Sequence, residues 1–166
     1  EYTELKEFYL NDETLEFKRN NIFIEISQLM QKAYCTTKSK SQLLKNIISK
    51  NQKSKILVVC KFVESQNFVI EKFTDSVTVL SYGKHAYGLN LQSYDVMVIW
   101  DKTFDYGSFY QVLRRIIRRG QTNDCRVFEL NAKIPLDKLM KSNIETKGKL
   151  LEAFKKKSMI EKLKEL

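Results

Sequence analysis

At 166 residues with 43% hydrophobic content, the chain is long enough for one domain with a real core and a helical appendage. Its 29 basic residues against 20 acidic ones give a net charge of +9 and a pI near 9.4, which suits a polyanion or acidic surface as partner and equally suits a lysine-rich surface that only keeps the protein soluble. Three scattered cysteines without a CxxC pair and a single histidine, His85, exclude a disulfide framework and a zinc or histidine metal site, while the lack of a membrane-length apolar run or an opening secretory signal points to an intracellular setting, cytoplasm or nucleoid, with no membrane partner.

In chain order, "EYTELKEFYL" and "NIFIEISQLMQKAY" read as helix, the second with Ile22, Ile26, Leu29, Met30 and Ala33 as its apolar positions. "SKSQLLKNIISK" is a third, with Ser39 or Ser41 as N-cap and Leu43, Leu44, Ile47 and Ile48 as its stripe. The texture then changes. "KILVVCKF" is short, apolar and β-branched, as a strand buried on both faces must be. "ESQNFVIEKF" is an amphipathic helix, "SVTVLSY" a second strand and "SYDVMVIWD" a third. "YGSFYQVLRRIIRR" is a helix with Ser108 as N-cap, and "DCRVFEL" a fourth strand. A C-terminal helix begins at Pro135, a residue suited to a first helical position. Strands alternating with helices predict an α/β fold with a parallel sheet, whose ligand sites lie at the carboxyl ends of the strands. Residues 1–50 read as a helical lead-in, 51–131 as the sheet domain and 132–166 as a brace helix closing it. Lys61, Ser81 and Lys84 follow strand ends on the ligand side and are the candidate phosphate contacts to nucleic acid.

Of the six arginines, four crowd into "QVLRRIIRRGQ": Arg114, Arg115, Arg118 and Arg119. Elsewhere the chain writes its positive charge mostly as lysine. Arginine offers a rigid fork for phosphate or carboxylate, where lysine is a flexible point charge. Projected as a helix running to Gly120, the stretch puts Val112, Leu113, Ile116 and Ile117 on one side and Gln111, Arg115 and Arg118 on the other. A solvated basic face is the alternative, but four clustered like charges repel unless an anion sits among them. The loop "SYGKHAYGLN" places Gly83 and Gly88 after a strand, where glycine lets backbone approach a phosphate; alone, two glycines five apart also fit a mere connection.

Taken whole, "SYGKHAYGLNLQSYDVMVIWDKTFDYGSFYQVLRRIIRRGQ" resembles motifs V and VI of superfamily 2 helicases in their Swi/Snf-like form, roughly GGxGLNLQxA, VIxxDxxWNP and QxxGRxxRxGQ, with no gap in spacing. "KILVVCKF" resembles motif IV of the same family. The resemblance implies an ATP-driven motor of two RecA-like lobes, of which this chain is the second. It has no GKT or GKS and no DExH or DEAD, so ATP and Mg2+ are expected only through a first lobe, and neither is expected on this chain alone. Opening at Glu1 rather than Met, the chain reads as a fragment of something longer. In the motif VI pattern Arg115 and Arg118 match the two arginines, one or both of which reach the phosphates of ATP held by the first lobe. Gln111 and Gln121 match its glutamines, and Gly88 and Asn90 belong to motif V. These residues are the candidate nucleotide contacts. The implied partners are the first lobe and double-stranded DNA, with RNA an alternative because backbone contacts do not name the sugar.

The sequence departs from the family in three places. His85 and Ala86 stand where motif V has paired glycines, and Arg114 stands where motif VI has glycine. Between Phe73 and Val77 the family's further strand and helix are absent, so a reduced RecA-like sheet flanked by helices is expected. The rival reading is a non-catalytic nucleic-acid or protein binding module derived from the same fold.

Overall fold

A computed structural model describes residues 25, 27–82, 91–118, 121, 124–132 and 134–164, with side chains as far as Lys149. The helix read over the first ten residues, and Lys84, Gly88, Asn90 and Arg119, lie outside the described residues.

The described chain alternates helix and strand as the sequence pattern requires. Helix α1 covers 27–34 and α2 covers Lys38–Lys50. Strand β1 (Ile56–Cys60) is followed by α3 (Val63–Phe73) and β2 (Thr78–Ser81). Strand β3 (Val96–Ile99) is followed by α4 (Tyr106–Ile116), β4 (Arg126–Glu129) and α5 (Pro135–Lys164). The sheet order is β2-β1-β3-β4 and every pairing is parallel. A turn at 74–76 carries α3 straight into β2, so the sheet is the reduced one expected.

Both central strands are buried on both faces, which explains their unbroken apolar sequence. Ile56, Val58 and Cys60 join Val96 and Val98 on the face covered by Leu44 of α2 and Val69 and Phe73 of α3. Leu57 and Val59 join Met97 and Ile99 on the other, against Val112 and Ile116 of α4. One-residue alternation thus feeds two cores from one strand.

Several local expectations fail for identifiable reasons. The α2 N-cap is Thr37, without a side-chain cap bond, rather than Ser39 or Ser41. Leu43 is exposed while Leu44 is fully buried. The α4 N-cap is Asp105, whose carboxylate accepts from the Ser108 backbone N–H at 3.2 Å; Ser108 is the residue capped. In α1, Leu29 and Ala33 face solvent, and the buried side is Ser27 and Gln31. Gln31 is buried there because its amide bonds Lys102 O and Lys61 Nζ beyond the strand ends.

Candidate functional site

Beyond the end of β3 at Ile99 the chain continues as Trp100, Asp101 and Lys102, all buried. Their carbonyls are claimed by side chains from three directions. Lys40 Nζ donates to Trp100 O at 2.7 Å, Tyr82 OH to Asp101 O at 3.2 Å, and Gln31 Nε2 to Lys102 O at 2.9 Å. Trp100 donates its indole N–H to Cys35 O at 2.7 Å. Buried carbonyls need such partners once the ladder has ended.

Asp101 is the centre of this carboxyl edge. Its carboxylate accepts from the backbone N–H groups of Lys61 and Phe62, at 3.0 and 3.4 Å, and from Lys40 Nζ at 3.2 Å. Lys61 and Phe62 lead into α3, with Phe62 its N-cap, so a carboxylate sits near the end where the helix dipole is positive. Lys40 also stands over the Tyr34 and Trp100 rings. Asp101 is 3% exposed and Lys40 6%; the pair welds α2 to β1 and β3. Burial and the nearby Asp101 charge both push the Tyr82 phenol above its ordinary value, keeping it the neutral donor that bond needs.

The two described candidates for nucleic-acid contact lie on this edge. Ser81 is half-buried at the end of β2, paired with Cys60. Lys61 is half-buried too, with Nζ 3.0 Å from Gln31 Oε1 and over the Phe62 ring. Burial pulls its ammonium pKa down, partly offset by Asp101. A phosphate reaching Lys61 would have to compete with Gln31.

The arginine cluster lies at the opposite edge. Helix α4 leaves the carboxyl ends at Asp105 and runs back along the sheet. Gln121 Nε2 donates to Ile116 O at its end and to Tyr94 O just before β3, both at 3.3 Å, and to Gln92 O at 3.0 Å. The end of α4 therefore lies beside the amino ends of the strands. The structure thus separates Arg115 and Arg118 from Lys61 and Ser81.

The helix stops at Ile116, not at Gly120. Ile117 closes it, bonding its N–H to Leu113 O at 3.0 Å, and is 48% exposed. The expectation that Ile117 is core is corrected: only Val112 and Ile116 are fully buried, with Leu113 packed partly against them. The Ile116 carbonyl, which a longer helix would have bonded, accepts from the Arg118 backbone N–H at 3.1 Å and from the Gln121 amide at 3.3 Å, with the Cys125 thiol at 3.9 Å. Gln111 and Arg118 are exposed and Arg115 is half-buried. Arg114 is turned back along α4. Its Nε donates to Tyr110 OH at 2.6 Å, its guanidinium lies 4.9 Å from that ring, and Tyr110 stacks on Tyr106.

Sequence reasoning found the arginines and missed the Asp101 centre. The available signal was a lone carboxylate closing an apolar strand, "VMVIWD". Among the described residues no cluster of three or more His, Cys, Asp or Glu is placed to hold a metal, and no helix is long and apolar enough to cross a membrane.

No protein-family model and no curated protein matches the sequence. Among solved structures, the chain is similar to the C-terminal part of the Fun30 ATPase domain. The TM-score is 0.54 at 18% identity, covering 63% of this chain and 44% of that one. A likeness at that identity is one of fold, and it supports the reduced RecA-like α/β architecture. The chain spans less than half the length of the structure it matches.

Proposed function

We propose that this chain is the second motor lobe of an ATP-dependent, Swi/Snf-like DNA translocase, offering Arg115 and Arg118 to a nucleotide presented by a first lobe. One observation carries the reading. The end of α4 brings a half-buried and an exposed arginine to an edge of the sheet away from the carboxyl-end candidates, within a fold similar to part of an ATPase domain. Nucleotide and nucleic acid then engage different edges of one rigid sheet.

The chain itself offers no glycine-rich loop ending in lysine to cradle a triphosphate. Its own residues fit the outer side of a nucleotide, not the Mg2+ side. When bound by the first lobe, ATP supplies a γ-phosphoryl group whose transfer spreads charge over its oxygens. Guanidiniums placed there offset that charge, and such an arginine is worth roughly 10³–10⁵ in rate. Gln111, one turn before Arg115 on the exposed side, is the neighbouring polar contact; Gln121 acts through the backbone it holds.

The reading is tested in the protein joined to its first lobe. Arg115→Ala and Arg118→Ala should each lower ATP turnover by orders of magnitude, while the isolated chain should show none. Turnover by the isolated chain, or turnover in the two-lobe protein indifferent to both substitutions, would remove the assignment.

A second reading, a binding module that has lost the motor, is favoured by Arg114. Where the family's motif has glycine, this side chain closes onto Tyr110. Sequencing upstream of Glu1 separates the two readings: a phosphate-binding loop and a DExH-like box there support the motor, and their absence supports the module.

A further inference from the structure

A pocket of about 160 Å3 opens at the carboxyl edge, between the ends of the strands and helices α4 and α5. Its apolar wall is Ile99, Phe109, Met140 and Ile144. Ile99 and Met140 are buried. An apolar cavity of about 150 Å3 is enough to hold benzene, so the space fits one six-membered ring.

The wall also contains Lys102 and Glu129. The Lys102 side chain is 8% exposed, yet its Nζ lies 3.8 Å from Glu129 Oε2 and 3.4 Å from Asp137 O. Charge-assisted bonds normally close to about 2.7–2.9 Å. A buried ammonium is therefore left short of a close acceptor, facing a carboxylate that can accept in turn. A hydroxyl seated beside the pair, about 2.8 Å from each, would accept from Lys102 and donate to Glu129. The rim adds Lys141 and Glu145, 3.9 Å apart, so the charges around the opening cancel. A charged ligand gains nothing from this surround and loses its hydration on entry.

We propose that this pocket binds a neutral single-ring aromatic molecule bearing one hydroxyl, with the ring on Ile99, Phe109 and Met140 and the hydroxyl reaching Lys102 and Glu129 from the pocket side. Methionine adapts its shape to a ring, and the Met140 sulfur is fixed by the Gln31 amide at 3.3 Å. The site lies where open parallel sheets take ligands, outside the carboxyl ends of the strands. It draws on neither Arg115 nor Arg118 and stands apart from the motor reading.

The test is a titration of the full chain with phenol, benzene and benzoate, read by methyl NMR of Met140 and the isoleucines. Phenol should shift Met140 and Ile144 saturably and bind roughly tenfold tighter than benzene, as a bond to a charged partner predicts. Benzoate should bind more weakly than phenol. Lys102→Met should bring phenol down to the affinity of benzene, with benzene binding retained as the sign of an intact pocket. Should Lys102→Met lose benzene as well, Glu129→Val on the exposed edge strand provides the same comparison. Ile144→Trp should fill the space and abolish both ligands. The proposal is overturned by no saturable shift with phenol, by equal affinity for phenol and benzene, by a phenol preference that survives both polar substitutions, or by binding unchanged in Ile144→Trp.

Discussion

Asp101 carries more structural consequence than any charged residue in the arginine cluster. It accepts from two backbone N–H groups and one buried ammonium. Asp101→Ala strands Lys40 without its counter-charge, a loss of roughly 3–5 kcal/mol for a broken buried pair. The companion change Lys40→Met, made on top of it, should recover part of that loss. Urea denaturation of the two single variants and the double variant decides the matter; additive losses would mean that the pair is not coupled. Asp105 acts more locally. The Ser108 hydroxyl, hydrogen-bonded to its carboxylate, holds it below the usual carboxylate range. A lowered carboxyl contributes stability above its unfolded pKa and loses it as pH falls through the folded one. Asp105→Ala should cost about 1 kcal/mol at neutral pH, and the difference from the parent chain should vanish in acid. A difference that persists there would assign the cost to packing instead. At this scale the sequence revealed residues whose type is unusual, as with arginine in a lysine-rich chain. It concealed Asp101, whose partners lie 40 and 61 positions away and exist only once the sheet has formed.

Elements were legible where a single physical rule decided them. Strands β1 and β3 show as apolar runs because burial on both faces leaves no polar position. Helix α1 shows its helicity but hides its orientation, because its buried side is polar, Ser27 and Gln31. Helix α4 shows its start and hides its end. Periodicity continues through Ile117 and Arg118, yet the Arg118 N–H and the Gln121 amide take the Ile116 carbonyl and the chain leaves the helix. Two isoleucines side by side in sequence therefore differ sharply. Ile116→Ala should cost roughly 2–5 kcal/mol, whereas Ile117→Ala should be close to neutral. Thermal melts of the two variants check this, and equal losses would restore the longer helix. In α5, a Cβ added at Gly148 would lie 3.4 Å from the Tyr106 ring, an ordinary contact at the seam with α4. Gly148→Ala should therefore stabilise the brace by up to about 1 kcal/mol through helix propensity. Destabilisation would show that the seam has no room to give.

For the whole molecule, net charge and usable charge are different quantities. The total is +9, but Lys40 and Lys102 are buried in contacts with Asp101 and Glu129, and Lys32 is paired with Glu64 at 2.9 Å. Among the described residues, what is left to a polyanion is exposed lysines together with Arg114 and Arg118, groups suited to phosphates. The chain should therefore bind duplex DNA weakly and without sequence preference. Each phosphate neutralised releases counterions and contributes about −0.9 to the slope of log affinity against log salt. Lys61→Ala should flatten that slope by roughly one unit or less, because its ammonium is already shared with Gln31. Lys40→Met should leave the slope unchanged, because a buried cation releases no counterion. Titrations on two unrelated duplexes, from low to physiological salt, provide the measurement. A flat salt response, or clear preference for one duplex, would contradict phosphate binding. A slope that Lys61→Ala leaves intact would move the contact surface away from Lys61.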